Sequence, residues 1–351
     1  MSNRIFARSP FIISVNEAGQ TSSKIEVFLW NSGSVPSSPQ YTLSKAIPST
    51  NNVKTLYNVS PLIREYIKFI SPSLNYNTVG DILNPNSYCN VQIKRYTGTS
   101  TLLNTTTYVA FDGYTEYVQG YNYDRGKYLL DEGTYYYYYD DSSTYDVTKA
   151  GDITLEVASG DKVKYTNLVS GATGTYSFST PGLGTLHRVS GTYWANGNKL
   201  EILNSSNTVL RTYYFRPIEE CKYTPLPIDF INKYGAWQRE WFFKASYDNI
   251  EIQNTEYNLM PDTFPSYNYK EGQTKTFNTN AKESIRVNTG WVNENFKATI
   301  QDIMLSEKIL LNNLPVRCKT KNIEKFKSIN SKTINYTLEF DYNYNTLNNV
   351  L

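Results

Sequence analysis

The chain reads as a mainly β, multi-domain protein, and three observations point that way. Thr, Ser, Tyr, Asn and Val are abundant throughout while helix formers are sparse, a composition suited to strands and turns. Short runs of β-branched and aromatic residues recur between Gly- and Pro-marked breaks. The length, 351 residues, corresponds to two or three domains at roughly 150 residues each. The predicted organisation is a β-sandwich with one helix over 1–120, an inserted Gly/Tyr-rich second sandwich or meander over 121–216, and a C-terminal α+β domain over 217–351.

In the first segment, strand-like runs cover Phe11 to Val15, Lys24 to Trp30, Tyr41 to Ile47, Tyr88 to Tyr96 and Thr105 to Phe111. Ile25, Val27 and Leu29 alternate with Lys24 and Glu26, which predicts one buried face. A helix begins near Ser60, which can cap, with Pro61 at the first helical position. Leu62, Ile63, Tyr66, Ile67 and Ile70 share a face at 3.6 spacing, and Pro72 ends the run. In the second segment the strands are Ile153 to Val157, Lys162 to Leu168, Tyr176 to Phe178, Leu186 to Tyr193, Lys199 to Leu203 and Val209 to Phe215. Asn196-Gly197 predicts a hairpin between Tyr193-Trp194 and Lys199-Leu200, because both central turn residues must tolerate positive φ.

Composition changes near Pro217. A helix is predicted over about Asn295 to Leu311, with Phe296, Ile300, Ile303, Met304 and Leu310 on one face and Asn293 or Asn295 as cap. Pro315 then breaks the chain. The clearest strand is the last. Ile334, Tyr336, Leu338, Phe340, Tyr342 and Tyr344 alternate with Asn335, Thr337, Glu339, Asp341 and Asn343, giving a dry and a wet face.

One histidine stands against 32 tyrosines. Histidine is the usual acid, base and metal ligand near neutral pH, so His187 alone leaves little room for such chemistry. It lies in a strand-like context beside Arg188. GxSxG, GxxxxGK[ST] and GxGxxG are absent. Adjacent acids occur at Asp131-Glu132, Asp140-Asp141 and Glu219-Glu220, a pattern common in exposed turns, and nothing in the sequence places a pair across a groove. Cys89, Cys221 and Cys318 are isolated, so neither a disulfide framework nor a metal knuckle is predicted. The expectation is therefore a non-enzyme without cofactor or metal, folded in a reducing cytoplasm. The first twenty residues do not read as an export leader, and no apolar run approaches the ~20 residues of a membrane span. A net charge of +2 favours neither nucleic acid nor membrane.

Tyrosine offers a wide ring and a polar tip, the profile of a contact residue. Three stretches stand out as candidate contact surfaces. The run Tyr135, Tyr136, Tyr137, Tyr138 and Tyr139 reads as a strand buried on both faces, a subunit contact or a glycan platform. Trp237, Arg239 and Trp241 alternate with Gln238, Glu240 and Phe242, which as a strand places two tryptophans and an arginine on one face, either as core or as an interface. Arg317, Lys319 and Lys321 alternate with Val316, Cys318 and Thr320, as a solvated face or a contact for an acidic neighbour.

The C-terminal third carries a distinctive series: IDFINKYGAWQREWFFKAS (Ile228 to Ser246), preceded by CKYTP from Cys221 and followed by NTGWVNE from Asn288, LSEK from Leu305, LPV from Leu314 and INYTLEF from Ile334. This order resembles that of virion structural proteins of tailed phages of Bacteroidetes and marine bacteria, including crAss-like phages, where it looks like part of tail, baseplate or connector-ring components. FLWNSG, PQYTLSK and NVSPLIREYI in the first segment are similar to the fibronectin-like sandwich such proteins carry. Residues 121–216 match nothing of that family. The resemblance implies a virion subunit assembled in the host bacterial cytoplasm. It implies copies of the chain in a ring, neighbouring tail or portal proteins, loose contact with passing DNA, and no membrane. The Tyr and Trp content leaves a second class open, a surface adhesin or carbohydrate-binding module.

Overall fold

A computed structural model describes residues 4–48, 51–67, 81–83, 88–122, 128–139, 152–157, 160–178, 182–188, 195–260, 265–266, 268–324 and 333–347. The protein is mainly β, with 55% strand and 9% helix. It divides into two compact units, one of 1–219 with 231–240 and one of 220–230 with 241–351.

The first unit opens with β1 (Arg4–Phe6), β2 (Ile12–Val15), β3 (Ser22–Trp30), β4 (Tyr41–Ala46), β5 (Thr55–Asn58), α1 (Ser60–Tyr66), β6 (Asp81–Leu83), β7 (Tyr88–Thr97) and β8 (Thr101–Phe111). Five of these form a sheet in the order β1-β8-β7-β3-β4, and β2 pairs with β5. The alternation in β3 holds: Ile25, Val27 and Leu29 are buried and meet Ile13, Val15, Tyr57 and Ile63 in one core. Inside that core the Ser23 hydroxyl lies 2.7 Å from Thr55 Oγ1 and 2.6 Å from the Tyr57 hydroxyl, so its polar atom is satisfied.

Ser60 is the first residue of α1 and not its cap; Val59 takes that place, and Pro61 sits in the first turn. The serine hydroxyl is engaged elsewhere. It donates to the Ser9 carbonyl at 2.7 Å and accepts from Phe11 N–H at 2.9 Å, tying the helix to the start of β2. The helix closes at Tyr66, with Ile67 already extended; the remainder of the predicted run, through Ile70 and Pro72, lies outside the described residues.

β9 (Gly133–Tyr138), β10 (Asp152–Val157), β11 (Lys162–Asn167), β12 (Thr173–Ser177), β13 (Gly182–Arg188), β14 (Asn198–Leu203) and β15 (Val209–Ile218) complete the first unit's strands up to 219. They form a sheet ordered β12-β11-β14-β15-β9, with β9 parallel to β15, and a smaller one ordered β10-β13-β6. Gly197 does take positive φ, 77°. Yet β14 pairs with β11 and β15, while Tyr193 and Trp194 lie outside the described residues. A Cβ on Gly197 would stand 2.6 Å from the Phe215 carbonyl oxygen, so this glycine also permits close backbone approach.

The turn Asn232 to Ala236 explains the densest part of the C-terminal motif. Asn232 Oδ1 accepts from Tyr234 N–H at 3.0 Å and Ala236 N–H at 3.2 Å. Its Nδ2 donates to the Leu129 carbonyl at 2.9 Å and to Gln238 Oε1 at 3.2 Å. The turn lies directly on Gly113, where a Cβ would come within 2.6 Å of the Lys233 carbonyl oxygen and 2.7 Å of the Phe6 ring. Asn-Lys-Tyr-Gly-Ala is thus a packing device.

The second unit contains β16 (Leu226–Ile231), which extends one residue beyond it, β18 (Tyr247–Asn258), β19 (Thr274–Asn293), α2 (Lys297–Leu305), β20 (Ile309–Leu311), β21 (Leu314–Cys318) and β22 (Thr333–Asn345). They run in the order β16-β20-β21-β22-β19-β18. β17 (Trp237–Phe242) belongs to the same seven-stranded sheet and begins in the stretch counted with the first unit. Asn293 caps the helical region, its side chain accepting from Asn295 N–H in a 3₁₀ turn that leads into α2. The helix is shorter than predicted. It ends at Leu305, and Leu310 lies in β20. Ser306, already extended, closes the helix, and the left-handed pair Asn312-Asn313, φ 47° and 65°, then folds β20 against β21 as a hairpin. Pro315 is inside β21 and breaks nothing, because β22 pairs with that strand only from Val316 onward.

Ile300 and Ile303 of α2 pack on Ile285, Val287, Tyr336, Leu338 and Phe340 of β19 and β22. Phe340 is fully buried while Asn343 is exposed, as the alternation predicts. Phe340→Ala should therefore cost about 3–5 kcal/mol in urea denaturation, and Asn343→Ala should stay within about ±0.5 kcal/mol. Equal losses would mean that both faces of β22 are covered.

Candidate functional site

The tyrosine run forms β9, an edge strand of its sheet, and none of the five rings is exposed. Tyr137 is buried at 2% exposure; Tyr135, Tyr136, Tyr138 and Tyr139 are half-buried. Tyr135 stacks on Phe215, ring centroids 5.6 Å apart, and donates its hydroxyl to the Asp131 carbonyl.

β17 is covered on both faces. Trp241, Gln238, Glu240 and Phe242 are buried, and Trp237 and Arg239 are half-buried. The alternation is present, but it does not separate a dry face from a displayed one. Glu240 is the unusual member. It is 3% exposed, and its carboxylate accepts from Gln238 Nε2 at 2.8 Å. Burial raises its pKa to about 8, with the Gln238 hydrogen bond opposing.

The cations near the end meet acids of their own sheet. Arg317 Nη2 lies 3.0 Å from Asp341 Oδ2, and Lys319 Nζ lies 2.8 Å from Glu339 Oε1. Lys321 is exposed beyond the end of β21. The adjacent acids are similarly engaged. Asp131 pairs with Lys233 and Tyr234, Glu132 Oε1 accepts from Thr212 N–H at 2.9 Å, and Glu220 pairs with Lys244 at 2.6 Å. Asp140-Asp141 lie outside the described residues. The three cysteines are free, with Cys89 buried; among the described residues no group of three His, Cys, Asp or Glu is placed to hold a metal ion. His187 pairs through its backbone with Ile153 and Asp81 in the small sheet.

One exposed strand carries none of the residues singled out from the sequence. β18 is the last strand of its sheet, and all twelve of its residues are exposed. It pairs only with β19, whose outer half, from Thr274 to Lys282, is exposed or half-buried. Asp248 stands opposite Ile285, and Ile285 opposite Phe340. By alternation, Ile250 and Ile252 share the face that is core further along the sheet. Here nothing in the described residues covers them: they are 60% and 67% exposed. Tyr342 and Tyr344, ring centroids 5.6 Å apart, continue the same face on β22. Burial first, and then the Asp248 carboxylate, holds the Tyr342 phenol above its ordinary pKa. The signal in the sequence was Ile250 and Ile252 at period two within a twelve-residue stretch lacking Lys, Arg and Pro.

No protein-family model matches the chain, and no curated protein matches it. Among solved structures it is similar to the periplasmic chaperone SfaE, at 8% identity over 62% of this chain and 97% of that one, with a TM-score of 0.19. At that score the likeness carries no argument.

Glu240 yields a test of β17. Between its ordinary value of 4.5 and its folded value of about 8, the folded state holds a proton that the unfolded state has released. Stability contributed here is therefore lost as pH rises through that window. Melting temperature should fall from pH 5 to pH 8, and Glu240→Gln should flatten that slope and stabilise the protein at pH 8 by on the order of a few kcal/mol. An unchanged slope in the variant would place the charge in water.

Proposed function

We propose that this protein is a structural subunit of a tailed-phage virion that works through protein–protein interfaces. Its partners are copies of itself in a ring, with tail or portal proteins adjoining. The observation that carries the reading is β18. A twelve-residue edge, ~40 Å long at strand rise, offers a row of outward N–H and C=O groups with no strand beside them among the described residues. Soluble proteins blunt such edges with lysine, proline or short length, and β18 has none of these. Its bulge between Gln253 and Thr255 is the one irregularity.

Charge favours a second copy as occupant. β18 holds Asp248, Glu251 and Glu256 and no cation, contributing −3 to a chain total of +2 and leaving +5 on the remainder. An acidic strand on an otherwise basic chain meets a different surface on its neighbour, the head-to-tail contact that closes rings. The resemblance of the Ile228 to Ser246 series to virion subunits points the same way.

Mass photometry should show the purified full chain in discrete oligomers. The double variant Ile250→Lys, Ile252→Lys should be monomeric with an unchanged melting temperature, since both positions are exposed. A wild-type chain that stays monomeric at high concentration, or a double variant that still assembles, would overturn the role given to β18.

A further inference from the structure

Trp291 is the second exposed anomaly of this unit, on the polar face of the same sheet. It follows Gly290, which takes φ 74°, at a register shift between Asn288 and Trp291 in the pairing of β19 with β22. A bulge of this kind turns a side chain out of the regular pleat. The indole is 73% exposed and forms a shared wall of two clefts of about 480 and 530 Å³. Both are open depressions, and they share Trp291, Asn335 and Thr337, so they adjoin as one shallow trough.

The floor of the trough is polar and already organised. Asn288 Nδ2 donates to Asn335 Oδ1 at 2.7 Å and to Thr337 Oγ1 at 3.0 Å, and its Oδ1 accepts from Gly290 N–H at 2.7 Å. This network engages Asn335 Oδ1 and Thr337 Oγ1 as acceptors, so Asn335 Nδ2 and the Thr337 hydroxyl hydrogen keep their donor capacity. Tyr247 stands at the rim, 65% exposed. Arg286 lines the first cleft and makes no ion pair among the described residues.

We propose that this trough binds an oligosaccharide, with one sugar ring over the Trp291 indole and its hydroxyls on Asn335, Thr337 and Arg286. An aromatic plate beside fixed amides matches a ligand that has an apolar ring face and a hydroxyl edge. A protein neighbour is the less suited occupant. Its apolar core would cover Asn288, Asn335 and Thr337 at the centre of the contact and leave their polar atoms unpaired. The trough shares Tyr247 with β18, but Trp291 and Asn335 lie outside that strand, so the ring contact and the sugar site can fail independently.

The test uses the full chain on an array of immobilised bacterial and algal oligosaccharides, followed by tryptophan-fluorescence titration with the strongest binder. Binding should weaken at least tenfold in Trp291→Ala and in Asn335→Ala, with melting temperature and oligomeric state unchanged, and Trp291→Tyr should retain part of it. An array without binders, or a binder indifferent to Trp291→Ala, would overturn the proposal. Loss of self-association in Trp291→Ala would overturn it as well, by assigning the indole to a protein contact.

Discussion

A β-sheet must pair its backbone groups and cover its apolar face, and the second unit meets the two demands along a single strand, β19. Its twenty residues divide by environment. Ser284, Ile285, Val287 and Thr289 are buried; β22 pairs along this part of the strand, and β18 pairs with it as far as Arg286. From Thr274 to Lys282 the same strand continues beyond its buried part, with β18 still its partner. Strand pairing extends past the hydrophobic cover. The exposed ribbon, the free edge of β18 and the bulge that displays Trp291 all follow from the length and register of this strand.

The polar face contributes little to holding the unit together. Arg317–Asp341 and Lys319–Glu339 are surface pairs, a class worth about 0–1 kcal/mol each. Stability comes from the opposite face, where Ile300 and Ile303 close over Leu338 and Phe340. The pairs have a different consequence. They engage Arg317 and Lys319 within their own sheet, so these two cations are already matched by acids of β22. In the first unit the same economy applies to Asn232, whose amide makes four hydrogen bonds within one turn and its support. A motif rich in Asn, Tyr and Trp serves backbone geometry there.

Local pattern was legible where burial and period coincide. The alternation of β3 and of β22 was readable, as was the Asn293 cap, because each depends on neighbours within a few residues. The far end of α2 was not. Leu310 continues the helical spacing, and only the left-handed pair Asn312-Asn313 shows that the chain has already turned into a hairpin. Interface residues were harder for a related reason. Arg317 and Lys319 were legible as a cationic face, but the acids that occupy them sit twenty or more residues away on the neighbouring strand, a relation spacing does not contain. Ile250 and Ile252 have the period of a buried strand and are exposed, since alternation reports which residues share a face and not whether anything covers it. Trp291 lay inside a quoted motif, and its display depends on the positive φ of Gly290.

The central claim is that the outer edge of β18 pairs with another copy of the chain. Amide hydrogen exchange over 247–258, measured across a series of protein concentrations, addresses it directly, because a bare edge exchanges freely while a paired one is protected. Exchange in this segment should slow as concentration rises, with Leu338 and Phe340 of β22 protected at every concentration. Rapid exchange over 247–258 that does not change with concentration would contradict the account.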